Sequence, residues 1–292
     1  MADLDRPSEQ SVPHGVFATE LGLRLVSGTV LAIIALFATY QGGWPFALLW
    51  LAAGIAIVVE WTGMARIQPL GPVRVLSGAG LAAVTTTLMG LTASSVPLGL
   101  LGSCVAGIAT GLLVRGGSRL HAILGLACGT MMVLIPPLVR EIPQLGLVAI
   151  LWMFAVVWVT DIAAYFTGRR FGGPKLWPRV SPKKTWSGFV GGLAGGTLAG
   201  VAVPWAATGW GWAPPFGFAA IGLLSALASV VSQGGDLAES ALKRHFGVKD
   251  SGRLIPGHGG VMDRLDGFWA VAALVGLILL IGHTAKPDIF PA

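Results

Sequence analysis

The sequence predicts an all-α, polytopic integral membrane protein with about nine transmembrane helices, its N-terminus cytoplasmic and its C-terminus outside. Three observations carry that prediction. The 292 residues have a mean hydropathy of +0.77 and only 11% charged side chains, against about 25% in a soluble domain. Apolar runs of spanning length, about 20 residues, recur from one end of the chain to the other. Basic residues then sort onto alternate connections between those runs, as the inside-positive bias of membrane proteins requires.

The spans lie at about 22–41, 44–62, 74–92, 96–114, 119–138, 145–166, 187–208, 216–240 and 267–284. Turn residues punctuate them: Gly42-Gly43, Pro69 to Pro72, Pro97, Gly116-Gly117, Pro143 and Pro214-Pro215. Residues 1–20, with Asp3, Asp5, Arg6 and Glu9, lack the basic-then-apolar order of a signal peptide and are expected to form a short cytoplasmic tail. Residues 21–144 are expected to hold about five helices, and residues 145–292 the catalytic region. No internal repeat is visible, which weakens an inverted-repeat transporter.

With nine spans and the N-terminus inside, the cytoplasmic segments collect all of the 19 Lys and Arg except Arg140 and Lys286. The net charge of +6 therefore reports topology, and no nucleic-acid partner is expected. Cys104 and Cys128 sit inside apolar runs, so no disulfide framework is expected, and no CxxC or Cys/His cluster suggests zinc or iron–sulfur. Neither a GxxxxGK[ST] loop nor a GxGxxG fingerprint occurs. Two cytoplasmic loops, 167–186 and 241–266, hold eleven of the 19 basic residues, whereas Gln41-Gly42-Gly43 and Trp210-Gly211-Trp212 are nearly bare of charge. Chemistry is expected at the cytosolic face.

The acidic residues near or inside the bilayer are Glu60, Asp161, Asp236 and Glu239, and a carboxylate there is costly unless paired. Asp161 stands four residues before Tyr165 on one helix face. Asp236, Glu239, Ser240 and Lys243 share one face at the end of the eighth span. The plainer reading is an ion pair between Glu239 and Lys243. Glu60 is either a second-helix contributor to a site or a packed glutamate only.

Beyond the eighth span come Lys249-Asp250, the run Pro256-Gly257-His258-Gly259-Gly260, and then Asp263, Arg264 and Asp266. A helix there would project Asp263 and Asp266 together. Three carboxylates, Asp236, Asp263 and Asp266, repel one another at one membrane depth unless a cation lies among them, and an all-oxygen set suits magnesium completed by water and phosphates. Glycines beside His258 leave backbone N–H groups open to phosphate. The alternative is a glycine-rich turn with a capping aspartate.

In the other loop, Ser181-Pro182-Lys183-Lys184-Thr185-Trp186-Ser187-Gly188 leads into the seventh span, whose N-terminus attracts anions. Its lysines are either phosphate-binding charges or ordinary membrane anchors, and Arg169, Arg170 and Arg179 face the same choice with anionic lipid headgroups. Gly188, Gly192, Gly196 and Gly200 make a smooth face for close packing, within one chain or across a homodimer.

The 27 residues from Ser240 through Lys243, Arg244, Lys249, Asp250, Pro256, His258, Asp263 and Arg264 to Asp266 resemble the signature of the phosphatidate cytidylyltransferases, the CDP-diacylglycerol synthases, without departure. Asp161-Ile-Ala-Ala-Tyr165-Phe-Thr-Gly168-Arg169 and Ser181 to Gly188 are similar to that family's other polar blocks. The clear similarity runs from about 158 to 270, and the first 140 residues match in hydrophobic character only. The resemblance implies that CTP and phosphatidate give CDP-diacylglycerol and pyrophosphate with Mg2+, in phospholipid biosynthesis at the inner membrane. It further implies Asp236 and Asp263, then Asp266, as metal-holding and catalytic residues, with Lys243 catalytic. Lys183, Lys184, Lys243, Arg244 and Arg264 would neutralise phosphates. Thr185, Ser240, Lys249, Asp250, His258, Gly259, Gly260, Asp161 and Tyr165 complete the implied substrate contacts. A second cation, an ether-lipid phosphate as acceptor, and a proton- or ion-coupled transporter using Asp161 and Asp236 stay open at this point.

Overall fold

The computed structural model describes residues 20–90, 96–114, 118–255, 257 and 259–285. The expected tail over 1–20 lies outside them but for Glu20, as do Arg115, Pro256, His258 and Lys286. The described residues form α1 (Glu20–Gln41), α2 (Gly43–Met64), α3 (Leu70–Gly90), α4 (Val96–Leu113), α5 (Arg119–Arg140), α6 (Gly146–Phe171), β1 (Lys175–Trp177), β2 (Ser181–Thr185), α7 (Trp186–Thr208), α8 (Phe218–His245) and α9 (Met262–Ala285). Seven helices, α2, α3 and α5 to α9, are long and apolar enough to cross a membrane. Among the described residues α1 and α4 contribute the shorter apolar segments Leu25–Gln41 and Leu101–Leu113.

Helix ends depart from the expected spans where the polar motifs begin. α6 continues to Phe171 and α8 to His245, while α9 starts already at Met262. Much of the two expected loops is therefore helical: Arg169 and Arg170 lie in the last turn of α6, Lys243 and Arg244 in that of α8, and Asp263 in the first turn of α9. Hydropathy falls at these residues, but backbone hydrogen bonding does not stop there. It stops where a residue can leave the helical region, at Gly172 (φ 61) and Gly247 (φ 71). The remainder of the first loop is an antiparallel hairpin, β1 against β2, pairing Lys175 with Thr185 and Trp177 with Ser181.

The core is aromatic and sits between α2, α5, α6 and α9. Trp50 stacks on Phe268 at 4.8 Å between ring centres, Phe154 lies 5.1 Å from Phe268, and Trp158 stacks on Phe154 at 4.9 Å. A second cluster, with Val58, Leu81, Val84, Ala106 and Leu126, joins α2, α3, α4 and α5.

α7 packs by its buried glycines. A methyl group on Gly192 would meet the Thr160 carbonyl of α6 at 3.0 Å, and one on Gly196 would meet Ser229 Oγ of α8 at 2.9 Å. Hydroxyls fill the contact: Thr160 Oγ1 donates to Ser229 Oγ (2.8 Å), Ser229 Oγ to the Gly192 carbonyl (3.2 Å) and Trp152 Nε1 to Ser225 Oγ (2.9 Å). The glycine stripe is thus a seam within one chain, the close approach that small residues permit between membrane helices.

Candidate active site

One end of the bundle gathers the polar chemistry: the C-terminal ends of α6 and α8, the start of α7 behind its hairpin, and the start of α9. Thr185 opens α7 as its cap, with Oγ1 accepting the Gly188 N–H at 3.1 Å. Beside it Lys184, projecting from β2, forms an ion pair with Asp236 of α8. Hairpin and helix are thereby joined by charge. Ser240, one turn along α8, donates to Asp236 Oδ1 at 3.5 Å.

A second ion network follows on the same face of α8. Lys243 Nζ lies 2.5 Å from Glu239 and 2.7 Å from Asp263 of α9. The expected Glu239–Lys243 pair forms, and the ammonium also reaches across to the next helix. Asp263 accepts from more than Lys243. Its oxygens take the Ser251 N–H at 3.1 and 3.2 Å and the Gly260 N–H at 2.9 Å. The loop between α8 and α9 is thus folded over this carboxylate and pinched by a bridge from Ile255 N–H to the Gly259 carbonyl at 2.9 Å.

Asp266, one turn into α9, accepts the Gly267 N–H at 2.7 Å and lies in the electrostatic field of Asp236, Glu239 and Asp161. Asp161, exposed on α6, interacts with Asp236, Lys184 and Arg264 in turn. The expected trio therefore divides. Asp236 and Asp266 face a shared negative region with Asp161, whereas Asp263 is held on Lys243 and the loop amides. Among the described residues no three His, Cys, Asp or Glu stand close enough to ring one ion. Lys184 and Lys243 hold the intervening positions as counter-ions. The donor set there is all oxygen, with Lys184 paired to Asp236, a chemistry of the kind that suits a hard cation.

The other expected residues lie around this centre. Lys183, Lys249 and Asp250 are exposed on its rim. Arg244 is exposed and donates to the Val248 carbonyl at 3.3 Å, and Tyr165 accepts from Arg169 at 2.8 Å. Gly259 and Gly260 lie in the loop over Asp263, and His258 lies outside the described residues. An apolar cavity of about 240 Å³ runs inward from Glu239 and Asp266, walled by Ile57, Trp61, Leu242 and Trp269. A larger one of about 660 Å³ lies at the other end of the bundle, near Arg140 and Trp212, away from all of these carboxylates.

One participant stands out that sequence reasoning left undecided. Glu60, in the last turns of α2, is 4% exposed. It accepts hydrogen bonds from Ser251 Oγ (2.9 Å), the Val261 N–H (2.8 Å) and the Met262 N–H (2.9 Å). The signal was present in its type and place, since a carboxylate in an apolar helix needs donors. Its partners, about 190 residues away, could not be read from spacing.

The profile of the cytidylyltransferase family matches residues 22–281. The chain is similar to the phosphatidate cytidylyltransferase of Brucella suis biovar 1 (strain 1330), 43% identical over 273 residues that cover 93% of this chain and 97% of that protein. It is equally similar to that of Brucella abortus biovar 1 (strain 9-941), 43% over 276 residues, covering 94% and 98%. With the phosphatidate cytidylyltransferase of Bacillus subtilis (strain 168) it shares 41% identity over 143 residues, covering 49% of this chain and 51% of that protein.

Proposed function

The chain belongs to the cytidylyltransferase family, and from that premise we propose that it is a phosphatidate cytidylyltransferase. CTP and phosphatidate react to give CDP-diacylglycerol and pyrophosphate. The observation that carries the reading is the linked set of charges, Lys184 to Asp236 and Glu239 to Lys243 to Asp263, at one end of an otherwise apolar bundle. A lipid phosphate and a nucleotide triphosphate can both reach such a place, one from the bilayer and one from water.

The acceptor is already an anion, so the reaction needs no strong base. A phosphate oxygen of phosphatidate attacks the α-phosphorus of CTP, one P–O bond forms, and the bond to pyrophosphate breaks. Such transfers depend on positioning and charge neutralisation. Lys183, Lys184, Arg244 and Arg264 supply positive charge for the triphosphate and the lipid headgroup, and the N-terminal end of the α7 dipole adds to it. Lys243 keeps Asp263 oriented. Asp236 and Asp266, with Asp263 adjoining, would hold Mg2+, which neutralises charge on the transferring and leaving phosphates when bound. Ser240, Gly259 and Gly260, with Lys249, Asp250, Asp161 and Tyr165, belong to the same region, where Thr185 caps α7, and His258 is a further proposed substrate contact.

The proposed topology has nine spans with the N-terminus inside, which turns this end toward the cytosolic face of the inner membrane, where CTP and Mg2+ are found. The inside-positive distribution of Lys and Arg supports that orientation. Polar groups clustered at one end support an enzyme over a transporter, which needs them along a transverse path.

The test is pyrophosphate release by the detergent-purified chain given phosphatidate, Mg2+ and each of the four nucleoside triphosphates in turn. Release with CTP that requires both lipid and Mg2+ is the expected result. Silence with every nucleotide from folded protein overturns the reading, and faster turnover on an ether-lipid phosphate than on diacyl phosphatidate reassigns the acceptor.

A further inference from the structure

The geometry points to Glu60 as the residue that positions the loop between α8 and α9 for the reaction. Three donors from that loop and the first turn of α9 converge on its two oxygens: Ser251 Oγ and the Met262 N–H on Oε2, and the Val261 N–H on Oε1. The fit around it is tight. A methyl group on Gly252 would lie 2.6 Å from Oε1, and one on Gly260 would lie 2.6 Å from Oε2. The same loop then turns the Ser251 and Gly260 N–H groups onto Asp263, whose Oδ1 holds Lys243. Glu60 therefore sets Asp263 and Lys243 without touching them. It is a positioning residue, and this role rests on the cytidylyltransferase reading.

The arrangement requires an acceptor on both oxygens. Glutamine would turn an NH2 group toward either the Val261 N–H or the Ser251 and Met262 donors, donor facing donor. Supporting groups of this kind typically contribute 10–100-fold to activity. In Glu60→Gln, kcat per folded molecule is expected to fall roughly 10–100-fold, with the KM for CTP changed much less, because the rim lysines stay in place. Ser251→Ala removes one donor only and should lie between wild type and Glu60→Gln. Amide hydrogen exchange of the full chain in detergent should speed up over residues 251–262 in Glu60→Gln and stay unchanged across α5.

A role in packing alone gives the opposite pattern, with a smaller folded fraction but unchanged kcat per folded molecule and unchanged loop exchange. That result overturns the inference while wild-type turnover stands. A wild-type chain silent with CTP, phosphatidate and Mg2+ overturns the enzyme reading instead, and loop exchange in Glu60→Gln then still reports whether Glu60 holds the loop.

Discussion

Lys243 and Lys184 hold similar charges in different surroundings, and the difference separates structure from chemistry. The Lys243 side chain is 13% exposed and lies between Glu239 and Asp263, themselves 5% and 9% exposed. Removing it leaves two buried carboxylates without a counter-ion, so Lys243→Ala should lose turnover and also about 3–5 kcal/mol of stability, read as a lower unfolding midpoint. Asp236, paired with Lys184, is 31% exposed. Asp236→Asn should cost no more than about 1 kcal/mol yet lower turnover at least about 100-fold, whereas Trp210→Ala, at an 84% exposed position of the other end, should leave turnover near wild type. Much at this scale could be read from local spacing, because Asp236, Glu239, Ser240 and Lys243 repeat at helical intervals. The partition of Asp236 and Asp266 from Asp263 could not, since it depends on which lysine reaches across from another element.

The helices themselves were plain from hydropathy, and their ends were not. α6, α8 and α9 carry their last or first turns into charged sequence, because a helix ends where the backbone turns or is capped rather than where side chains become polar. The hairpin of β1 and β2 was missed for a related reason. Its eight strand residues, with Trp177, Pro182 and three lysines, show no alternating pattern that would mark a sheet. The glycine seam, in contrast, follows from a four-residue interval, although only the structure assigns it to α6 and α8. Gly196→Ala should force Ser229 and Thr160 aside and destabilise the chain by about 1–3 kcal/mol. Gly78→Ala, where a methyl group meets nothing within 4 Å, should be neutral or stabilise by up to about 1 kcal/mol. Thermal unfolding of the two variants in one detergent checks both.

Across the whole molecule, two ends with different contents face each other along the bundle. Carboxylates and lysines crowd the end formed by α8 and α9, while at the other Arg140 clamps the end of α1 through the Thr39 carbonyl at 2.7 Å and Trp212 donates to the Gln144 carbonyl at 2.7 Å. Single cysteines at Lys249 and Trp210 should therefore react with a membrane-impermeant thiol reagent from opposite sides of sealed vesicles, and labelling from the same side would refute the orientation. The long-range wiring also has a consequence for how the chain is made. Glu60 enters the bilayer on the second helix, and its donor Ser251 follows 191 residues later. At about 5–20 residues per second of synthesis the carboxylate waits on the order of 10–40 s for its partners. During that interval it needs other partners, at the insertion machinery or from water at the interface, so the step that completes the loop over Asp263 also releases the second helix from that shelter.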